Sequence, residues 1–338
     1  MKVSFVIPTF NVRPYLRDCL LSLVSQTEQD FEAVIVDDGS TDGTRELLRE
    51  ILENPEDICN LGGRLRVEFA EKNSGGPYQP RKQAILLARS SIVAPLDADD
   101  TVGPDYLANL LRRKEECNAE IVYPAMYRFD GTDSYRILPE ADFDAQNVRS
   151  GREIVKDTLS GWRFGAGGGL IDRDLYLKCF GKYDSTIAYT FADEVLTRQL
   201  LIEAKRVAFD EEPYHYRINP QSVTQKISKA CFMLTRSHRA LISLIREEYG
   251  EDSPEFLEAN RQLFHGFFDA VRLYAAAKSS RLMTPEVRQT ALEEIQSTWH
   301  TIDWQLVKGH VSPRYYLLGK TGIKATIILL PLYDKIKR

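Results

Sequence analysis

The first hundred residues alternate between short apolar runs and helical stretches, and this alternation constrains the fold more than any other feature. Runs rich in β-branched residues suit buried strands, and 3.6-residue spacing suits the helices between them. The predicted strands are residues 3–7, 33–36, 66–70 and 91–96, and polar clusters follow three of them at 8–11, 37–42 and 97–101. This order predicts an α/β fold with a mostly parallel sheet and helices on both faces. Because ligands of such sheets bind beyond the carboxyl ends of the strands, we expect the polar clusters to meet at one cleft.

The chain has 338 residues, enough for about two domains at roughly 150 residues each. Beyond residue 226 the apolar spacing is helical, over 231–249, 255–277 and 285–300. We therefore predict an α/β catalytic domain at residues 1–225, followed by a mainly α-helical C-terminal region at 226–338.

Charge is unevenly distributed along the chain. The formal net charge is −5, which argues against a nucleic-acid partner. Residues 308–338 nevertheless carry seven basic side chains and one acidic side chain, interleaved with aromatic and aliphatic residues. The tail at 312–338 fits two arrangements: a helix packed on the core, or a basic amphipathic segment lying on an anionic membrane surface.

The cysteines favour a reducing compartment. Five cysteines are spread widely and form no C-x-x-C pair, so they predict neither a disulfide framework nor a zinc site. The N-terminal sequence does not fit a signal peptide, and no stretch reaches the roughly 18 apolar residues of a membrane span. We expect a cytoplasmic protein whose tail either contacts the inner membrane surface peripherally or packs on the core. The sequence leaves a homo-oligomer open.

Asp97 and Asp99 form the first candidate site. Side chains two residues apart point to the same side of a strand, so we expect the two carboxylates to lie together at a strand end. A hard divalent cation, Mn²⁺ or Mg²⁺, would offset their repulsion and leave positions for substrate phosphates. The alternative is a solvated acidic turn before the next helix, which is the role that we assign to Asp100.

A second acidic cluster begins at Asp38. A carboxylate at a strand end can accept hydrogen bonds from a nucleobase or from ribose hydroxyls, and Gly39 permits a tight turn there. Asp42 better fits a helix N-cap. The glycines at 165–169 match neither a dinucleotide loop nor a P-loop, and Trp162 beside them fits either a sugar-stacking platform or a core position.

Several motifs occur together, and they resemble one family. They are Val6-Ile7-Pro8-Thr9-Phe10-Asn11, Ser25-Gln26-Thr27, Val36-Asp37-Asp38-Gly39-Ser40-Thr41-Asp42, Asn73-Ser74-Gly75, Arg81 and Leu96-Asp97-Ala98-Asp99-Asp100. Over roughly residues 1–115 the chain resembles the family 2 glycosyltransferases, and more loosely so to about residue 225. The resemblance implies a GT-A fold, which is a Rossmann-like nucleotide-sugar-binding domain. It also implies an inverting enzyme that moves a sugar from a nucleotide-sugar, usually a UDP-sugar, to an acceptor hydroxyl. A surface polysaccharide or a lipid-linked glycan is the expected product.

The resemblance also implies roles for individual residues. The segment with Pro8, Thr9 and Asn11 corresponds to the wall of the nucleotide pocket, and Asp38 corresponds to the acid that contacts the base. Arg81 lies where the family often has a basic residue facing the donor. In the segment Leu96-Asp97-Ala98-Asp99-Asp100, Asp97 and Ala98 are expected at the nucleotide-sugar and Asp99 is the expected metal ligand.

The general base of the family is commonly the Asp of a Glu-Asp pair that opens a helix. Here Asp193 takes that position, but Ala192 replaces the Glu, so the resemblance leaves Asp193 and Glu194 as candidate bases. Arg217, with Tyr216, resembles an element near the donor phosphates. Trp162, Glu194 and Arg217 are therefore candidate contacts of the acceptor or of the donor phosphates.

Two rival functions fit parts of the sequence. The segment 97–101 also matches the D-x-D-x-T pattern of haloacid-dehalogenase-like phosphatases, in which Asp97 would be the nucleophile and Asp99 an acid/base. That pattern normally follows the first strand of its domain, whereas three predicted strands precede it here. A non-catalytic glycan-binding protein is the second rival.

Overall fold

The structure is a computed structural model that describes residues 1–54, 56–130, 133–138, 146–159, 161, 168–182, 191–218, 227–280 and 282–336. Strands and helices alternate in its N-terminal part, which confirms the predicted α/β class. In chain order these elements are β1 (Val3–Thr9), α1 (Arg13–Val24), β2 (Phe31–Asp37), α2 (Thr44–Glu53), β3 (Leu65–Phe69), α3 (Tyr78–Leu87), β4 (Ile92–Pro95), β5 (Thr101–Val102), α4 (Tyr106–Cys117), β6 (Ile121–Phe129), β7 (Ser134–Leu138), α5 (Gly151–Ile154), β8 (Leu170–Asp172), α6 (Arg173–Lys182), α7 (Ala192–Glu203) and β9 (Val207–Arg217).

The first four strands form the parallel part of the sheet, in the order β3-β2-β1-β4. Strands β1 and β2 are buried along their whole length. This burial explains their continuous apolar runs, because helices cover both faces of a parallel sheet. Their carboxyl ends lie at one edge, where the predicted polar clusters begin.

The rest of the sheet is mixed. Strand β8 pairs antiparallel with both β4 and β6, while β6 and β9 run parallel to each other. Strand β7 pairs antiparallel with β6, and β5 pairs antiparallel with β9. The parallel arrangement inferred from the first hundred residues therefore extends through β4 and gives way to mixed pairing beyond it.

Contacts divide the chain into two compact units, one with residues 1–158 and 162–219 and the other with residues 159–161 and 220–338. The helices of the second unit are α8 (Lys229–Tyr249), α9 (Pro254–Ser279), α10 (Pro285–Thr301), α11 (Pro313–Lys320) and α12 (Ile323–Ile336). The mainly helical C-terminal region is thus confirmed. The assignment of residues 1–225 as the catalytic domain stays a prediction.

Aromatic and charged contacts hold the second unit together. Phe264 and Phe268 pack at a ring-centroid distance of 4.9 Å, and Trp304 packs edge-on against Phe264 at 5.9 Å. The buried carboxylate of Glu294 on α10 accepts hydrogen bonds from Arg236 and Arg239 on α8. Within the described part of the chain, none of the helices has the length and apolar character needed to cross a bilayer.

Candidate active site

The ends of β1 and β2 are tied together by hydrogen bonds. The N–H of Asp38 donates to the carbonyl oxygen of Thr9 at 2.8 Å, and the N–H of Asn11 donates to Ser40 Oγ at 2.9 Å. The side chain of Asn11 in turn accepts from the N–H of Thr41 at 2.8 Å. Pro8 and Thr9 are buried beneath these contacts. The first two polar clusters therefore meet at one edge of the sheet.

Asp38 lies at this edge but is turned toward the segment that follows β3. Its carboxylate accepts from Asn73 Nδ2 at 2.9 Å, from the N–H of Ser74 at 3.0 Å and from Ser74 Oγ at 2.9 Å. Burial raises the pKa of Asp38, while the Ser74 donors oppose the shift. The carboxylate thus positions the Asn73–Ser74 loop, and contact with a nucleobase stays a prediction.

Asp97 and Asp99 lie in a turn rather than in a strand. Strand β4 ends at Pro95, and the N–H of Asp100 donates to the carbonyl oxygen of Asp97 at 3.0 Å. The two-residue strand period therefore does not orient these carboxylates, and this premise of the sequence argument was wrong. Asp97 contacts Arg81, whose Nη2 donates to Oδ1 at 2.6 Å.

Asp100 is the buried centre of the turn, with 1% exposure. Its carboxylate accepts from the hydroxyl of Tyr214 at 2.7 Å and from the N–H of Arg217 at 2.8 Å. Burial raises the pKa of Asp100 well above its usual value, and the neighbouring Asp97 and Asp99 add to the shift. The solvated role assigned to Asp100 from the sequence was therefore wrong.

Arg217 fixes the same turn from β9. Its Nε donates to the carbonyl oxygen of Asp99 at 2.8 Å, and its Nη2 donates to Asp18 on α1 at 3.0 Å. The guanidinium also lies over the Tyr15 and Phe129 rings, at 5.2 and 5.0 Å from their centroids. Arg217 is thus a structural clamp of the turn. Ala98, within the same turn, is buried.

A cavity of about 330 Å³ opens beside this turn. Its polar lining comes from Arg81, Asp97, Asp100, Tyr176, Gly168, Asp193, Thr197, Tyr214 and Tyr216, and its apolar lining comes from Pro95, Leu96, Met126, Ile137, Leu138, Leu196 and Leu200. The Nε of Arg81 is buried and has no hydrogen-bond partner among the described residues. The cavity therefore brings together three predicted site residues, Arg81, Asp97 and Asp193.

The structure separates the two candidate bases. Asp193 is the second residue of α7 and lines the cavity, whereas Glu194 forms an ion pair with the buried Arg198 at 2.5 Å. Asp193 remains in contact with solvent at the cavity surface. Protein atoms around it nevertheless desolvate its carboxyl and raise its pKa, and Arg81 opposes that shift. The geometry thus favours Asp193 as the group that can exchange a proton with a bound molecule.

Tyr214 is a site residue that the sequence did not reveal, and it joins Tyr216, which the resemblance placed with Arg217 near the donor phosphates. Both line the cavity, and both lie on β9 two residues apart, so they share a face. That alternation was the available signal. The acidic residues and Pro213 before Tyr214 obscured the strand, and a register shift between β6 and β9 breaks its regularity.

A divalent cation at this turn, with Asp99 as its expected ligand, stays a prediction. Among the described residues, no three His, Cys, Asp or Glu side chains are arranged to hold an ion. Asp97 and Asp99 supply two carboxylates, and Mg²⁺ or Mn²⁺ is commonly held by one or two carboxylates together with substrate phosphates. Trp162 lies outside the described residues.

A family model described as Glycosyl transferase family 2 matches residues 4–178. The glycosyltransferase GlyG of Streptococcus pneumoniae serotype 4 is 25% identical over 65% of this chain and 72% of its own length. An uncharacterized glycosyltransferase of Bacillus subtilis, EpsJ, is 27% identical over 66% of this chain and 63% of its own length.

A solved structure shares the fold. The crystal structure of Staphylococcus aureus TarS residues 1–349 in complex with UDP-GlcNAc has a TM-score of 0.61 at 19% identity, covering 90% of this chain and 83% of that chain. This likeness confirms the predicted GT-A fold. TarS is named a poly(ribitol-phosphate) beta-N-acetylglucosaminyltransferase and is 28% identical over 64% of this chain. The match spans 35% of TarS, so this chain covers well under two thirds of that relative.

The buried carboxylate of Asp100 gives a test of the turn. Because burial raises its native pKa, its contribution to stability is present at low pH and is lost as pH rises through that pKa. Tyr214→Phe removes a donor to the carboxylate and raises the native pKa further. We expect the free energy of unfolding to fall by about 1–3 kcal/mol, with the larger loss at the higher of two pH values, one chosen below and one above the raised pKa of Asp100.

Urea denaturation at the two pH values measures this loss. Tyr216→Phe, on the same strand and the same face, is the matched control and should change stability little. An equal loss for Tyr214→Phe at both pH values would contradict the assigned role of Asp100.

Proposed function

The chain belongs to glycosyl transferase family 2, and from this premise we propose that it is an inverting enzyme that moves a sugar from a UDP-sugar to an acceptor hydroxyl. The observation that carries the proposal is the meeting of Arg81, Asp97 and Asp193 around one cavity at the carboxyl edge of the sheet. Sugar transfer needs polar groups beside the leaving diphosphate and a separate base beside the acceptor hydroxyl, with both close to the anomeric carbon. The cavity supplies both kinds of group.

The nucleotide is proposed to lie against the ends of β1 and β2. Pro8, Thr9 and Asn11 form that edge, and the Asn11 side chain fixes the start of the Thr41 loop. Asp38 holds the neighbouring Asn73–Ser74 loop through its carboxylate. These contacts support a rigid surface for a flat base and a ribose, which lowers the entropic cost of binding.

The donor diphosphate is proposed to lie beside the turn at 97–100, with Asp97 and Ala98 near the nucleotide-sugar. A divalent cation held by Asp99, with Asp97 nearby, would supply charge stabilisation to the departing diphosphate. Arg81 contributes a guanidinium whose buried Nε has no partner among the described residues. Arg217 supports this site indirectly, because it holds the carbonyl oxygen of Asp99 in place.

Asp193 is the proposed general base. The acceptor oxygen attacks the anomeric carbon, its proton passes to Asp193, and the bond to the diphosphate breaks with its electron pair leaving on the phosphate oxygen. A carboxylate within hydrogen-bond reach activates an otherwise weak hydroxyl nucleophile. The raised pKa of Asp193 makes its carboxylate a better proton acceptor. A single displacement of this kind inverts the anomeric configuration.

The phosphatase alternative is not supported. The pattern at 97–101 follows the fourth strand of the domain, and Arg81 pairs with the Asp97 carboxylate that would have to act as nucleophile. Membership of a glycosyltransferase family also sets aside the non-catalytic glycan-binding alternative.

Surface polysaccharide or lipid-linked glycan synthesis is the proposed setting. TarS, which shares the fold, was crystallised with UDP-GlcNAc and is named a poly(ribitol-phosphate) beta-N-acetylglucosaminyltransferase. These names support a UDP-sugar donor and a glycan or lipid-linked acceptor here. We further propose a cytoplasmic location.

Helices α11 and α12 are proposed to make peripheral contact with the inner membrane surface. Leu317, Ile328 and Leu332 expose 65%, 65% and 55% of their surface, next to the lysines of the basic tail. The one acidic residue of the tail, Asp334, pairs with Arg272 at 2.8 Å. Exposed apolar side chains on helices that also carry Lys320 and Lys324 suit an anionic lipid surface.

A donor-hydrolysis assay tests the proposed chemistry, because hydrolysis needs no acceptor. We expect the protein with Mn²⁺ to release UDP from at least one UDP-sugar, and Asp193→Asn to lower the rate by about 10²–10⁴-fold. The KM for the donor should change little. In the unaltered protein the rate should rise as pH rises through the raised pKa of Asp193, since the base must be deprotonated.

Glu194→Gln is the matched control for Asp193→Asn. It removes one charge at the adjacent position and should retain more activity than Asp193→Asn, provided that circular dichroism shows an intact fold. Loss confined to Glu194→Gln would reverse the assignment of the base. Hydrolysis of a generic phosphate ester, lost in Asp97→Asn without any UDP release, would contradict the transferase proposal.

Liposome co-sedimentation tests the membrane contact. The double variant Ile328→Ser/Leu332→Ser should lose binding to vesicles that contain phosphatidylglycerol, and raised salt should weaken binding of the unaltered protein. The control Ile58→Ser/Leu86→Ser removes equally exposed apolar side chains elsewhere. No binding by the unaltered protein, or equal loss in both double variants, would refute the contact.

A further inference from the structure

Three adjacent strands place two tyrosines on either side of an arginine. Arg128 on β6 is paired directly with Tyr135 on β7 and with Tyr216 on β9. Directly paired residues share a face of the sheet, so all three side chains project to the same side. The strand positions of the two tyrosines lie about 10 Å apart, twice the spacing of neighbouring strands.

This face continues from the cavity. Tyr216 belongs to the cavity lining and to the trio alike. Met126, two residues before Arg128 on β6, also lines the cavity, as does its β7 partner Leu138. The surface formed by Tyr135, Arg128 and Tyr216, which we call the hairpin platform, is therefore an extension of the cavity wall.

The opposite face of the same strands is occupied by its own contacts. His215 lies between the rings of Tyr127 and Phe129, at 6.0 Å from each, and its Nδ1 lies 3.2 Å from Ser134 Oγ. Arg217 lies over Phe129 as part of the clamp on the turn. That face is consolidated by packing, whereas Tyr135 and Tyr216 on the platform face are exposed.

Exposure and hydrogen bonding mark the platform as a binding surface. Tyr135 and Tyr216 expose 55% and 39% of their surface. The Nε of Arg128 is buried, and within the described ranges it has no hydrogen-bond partner. A buried donor without a partner is costly, and a bound acceptor group relieves that cost.

We propose that the hairpin platform binds the acceptor as an anionic glycan. The tyrosine rings offer apolar faces to sugar rings, and the guanidinium of Arg128 recognises a carboxylate or a phosphate between them. Continuity with the cavity directs the terminal hydroxyl of the glycan toward Asp193. This inference rests on the proposed function, because it supplies the acceptor side of the same reaction.

Binding of defined glycans to the full chain tests the platform. Titration by NMR uses a hyaluronan tetrasaccharide to present carboxylates, poly(ribitol phosphate) to present phosphates, and chitotetraose as the neutral probe. We expect tighter binding of at least one anionic probe than of chitotetraose. Tyr135→Ala and Arg128→Met should each weaken that binding by at least about tenfold, which corresponds to about 1.4 kcal/mol.

Matched variants separate recognition from general damage. Arg136→Met removes an arginine that lies on the other face of the same hairpin and pairs with Glu211, and it should leave glycan binding unchanged. Tyr135→Phe keeps the ring and should retain most of the binding. Binding lost equally in Arg136→Met, binding insensitive to Arg128→Met, or no binding of either anionic probe would overturn the platform.

UDP release by the unaltered protein is measured in parallel without acceptor. If UDP is released and neither anionic probe binds, the platform is wrong and the proposed function stands. If the anionic probes bind as expected but no UDP-sugar is hydrolysed, the proposed function fails while the glycan-binding surface stands.

Discussion

The burial of one carboxylate organises the site. Asp100 accepts hydrogen bonds from the side chain of Tyr214 and the backbone of Arg217, and these contacts join the turn after β4 to strand β9. Tyr214 also accepts from the N–H of Asp97 at 3.2 Å, so a single hydroxyl connects both ends of the turn. The bond from Arg217 Nε to the carbonyl oxygen of Asp99 and the pairing of β5 with β9 strengthen the same connection. Together these contacts hold the turn that lines the cavity against the strand that carries Tyr216.

The turn after β4 concentrates the carboxyl groups of Asp97, Asp99 and Asp100, and neighbouring side chains offset part of their mutual repulsion. Arg81 pairs with Asp97, and Arg217 reaches Asp18 as well as the backbone of Asp99. Burial, together with repulsion from Asp97 and Asp99, raises the pKa of Asp100. Functional sites commonly keep such unfavourable charge because a ligand uses it. In the proposed function, a cation shared with a diphosphate would use the carboxylates, and Arg81 Nε, which has no partner among the described residues, would donate to an anion.

Local sequence patterns predicted much of the fold and part of the site. Strands β1 and β2 are buried along their whole length, and this burial made their apolar runs a strong signal for strands. The polar clusters that follow them lie at the same edge because the two strands are parallel and adjacent. The helical spacing of the C-terminal region was equally clear. The role of Asp100 could not be predicted, because its partner Tyr214 lies 114 residues away and no local rule links them. The proximity of Tyr135 and Arg128 likewise could not be predicted, because it depends on the pairing of β6 with β7.

The anomeric configuration of the first-formed product tests the central claim most directly. Asp193 is the one proposed carboxylate base and lines the cavity together with Arg81 and Asp97, an arrangement that supports a single displacement. Proton NMR during donor hydrolysis, before mutarotation, reads the configuration of the released sugar. An α-linked UDP-sugar should give the β-anomer first. Initial release of the α-anomer would show retention and would contradict the account.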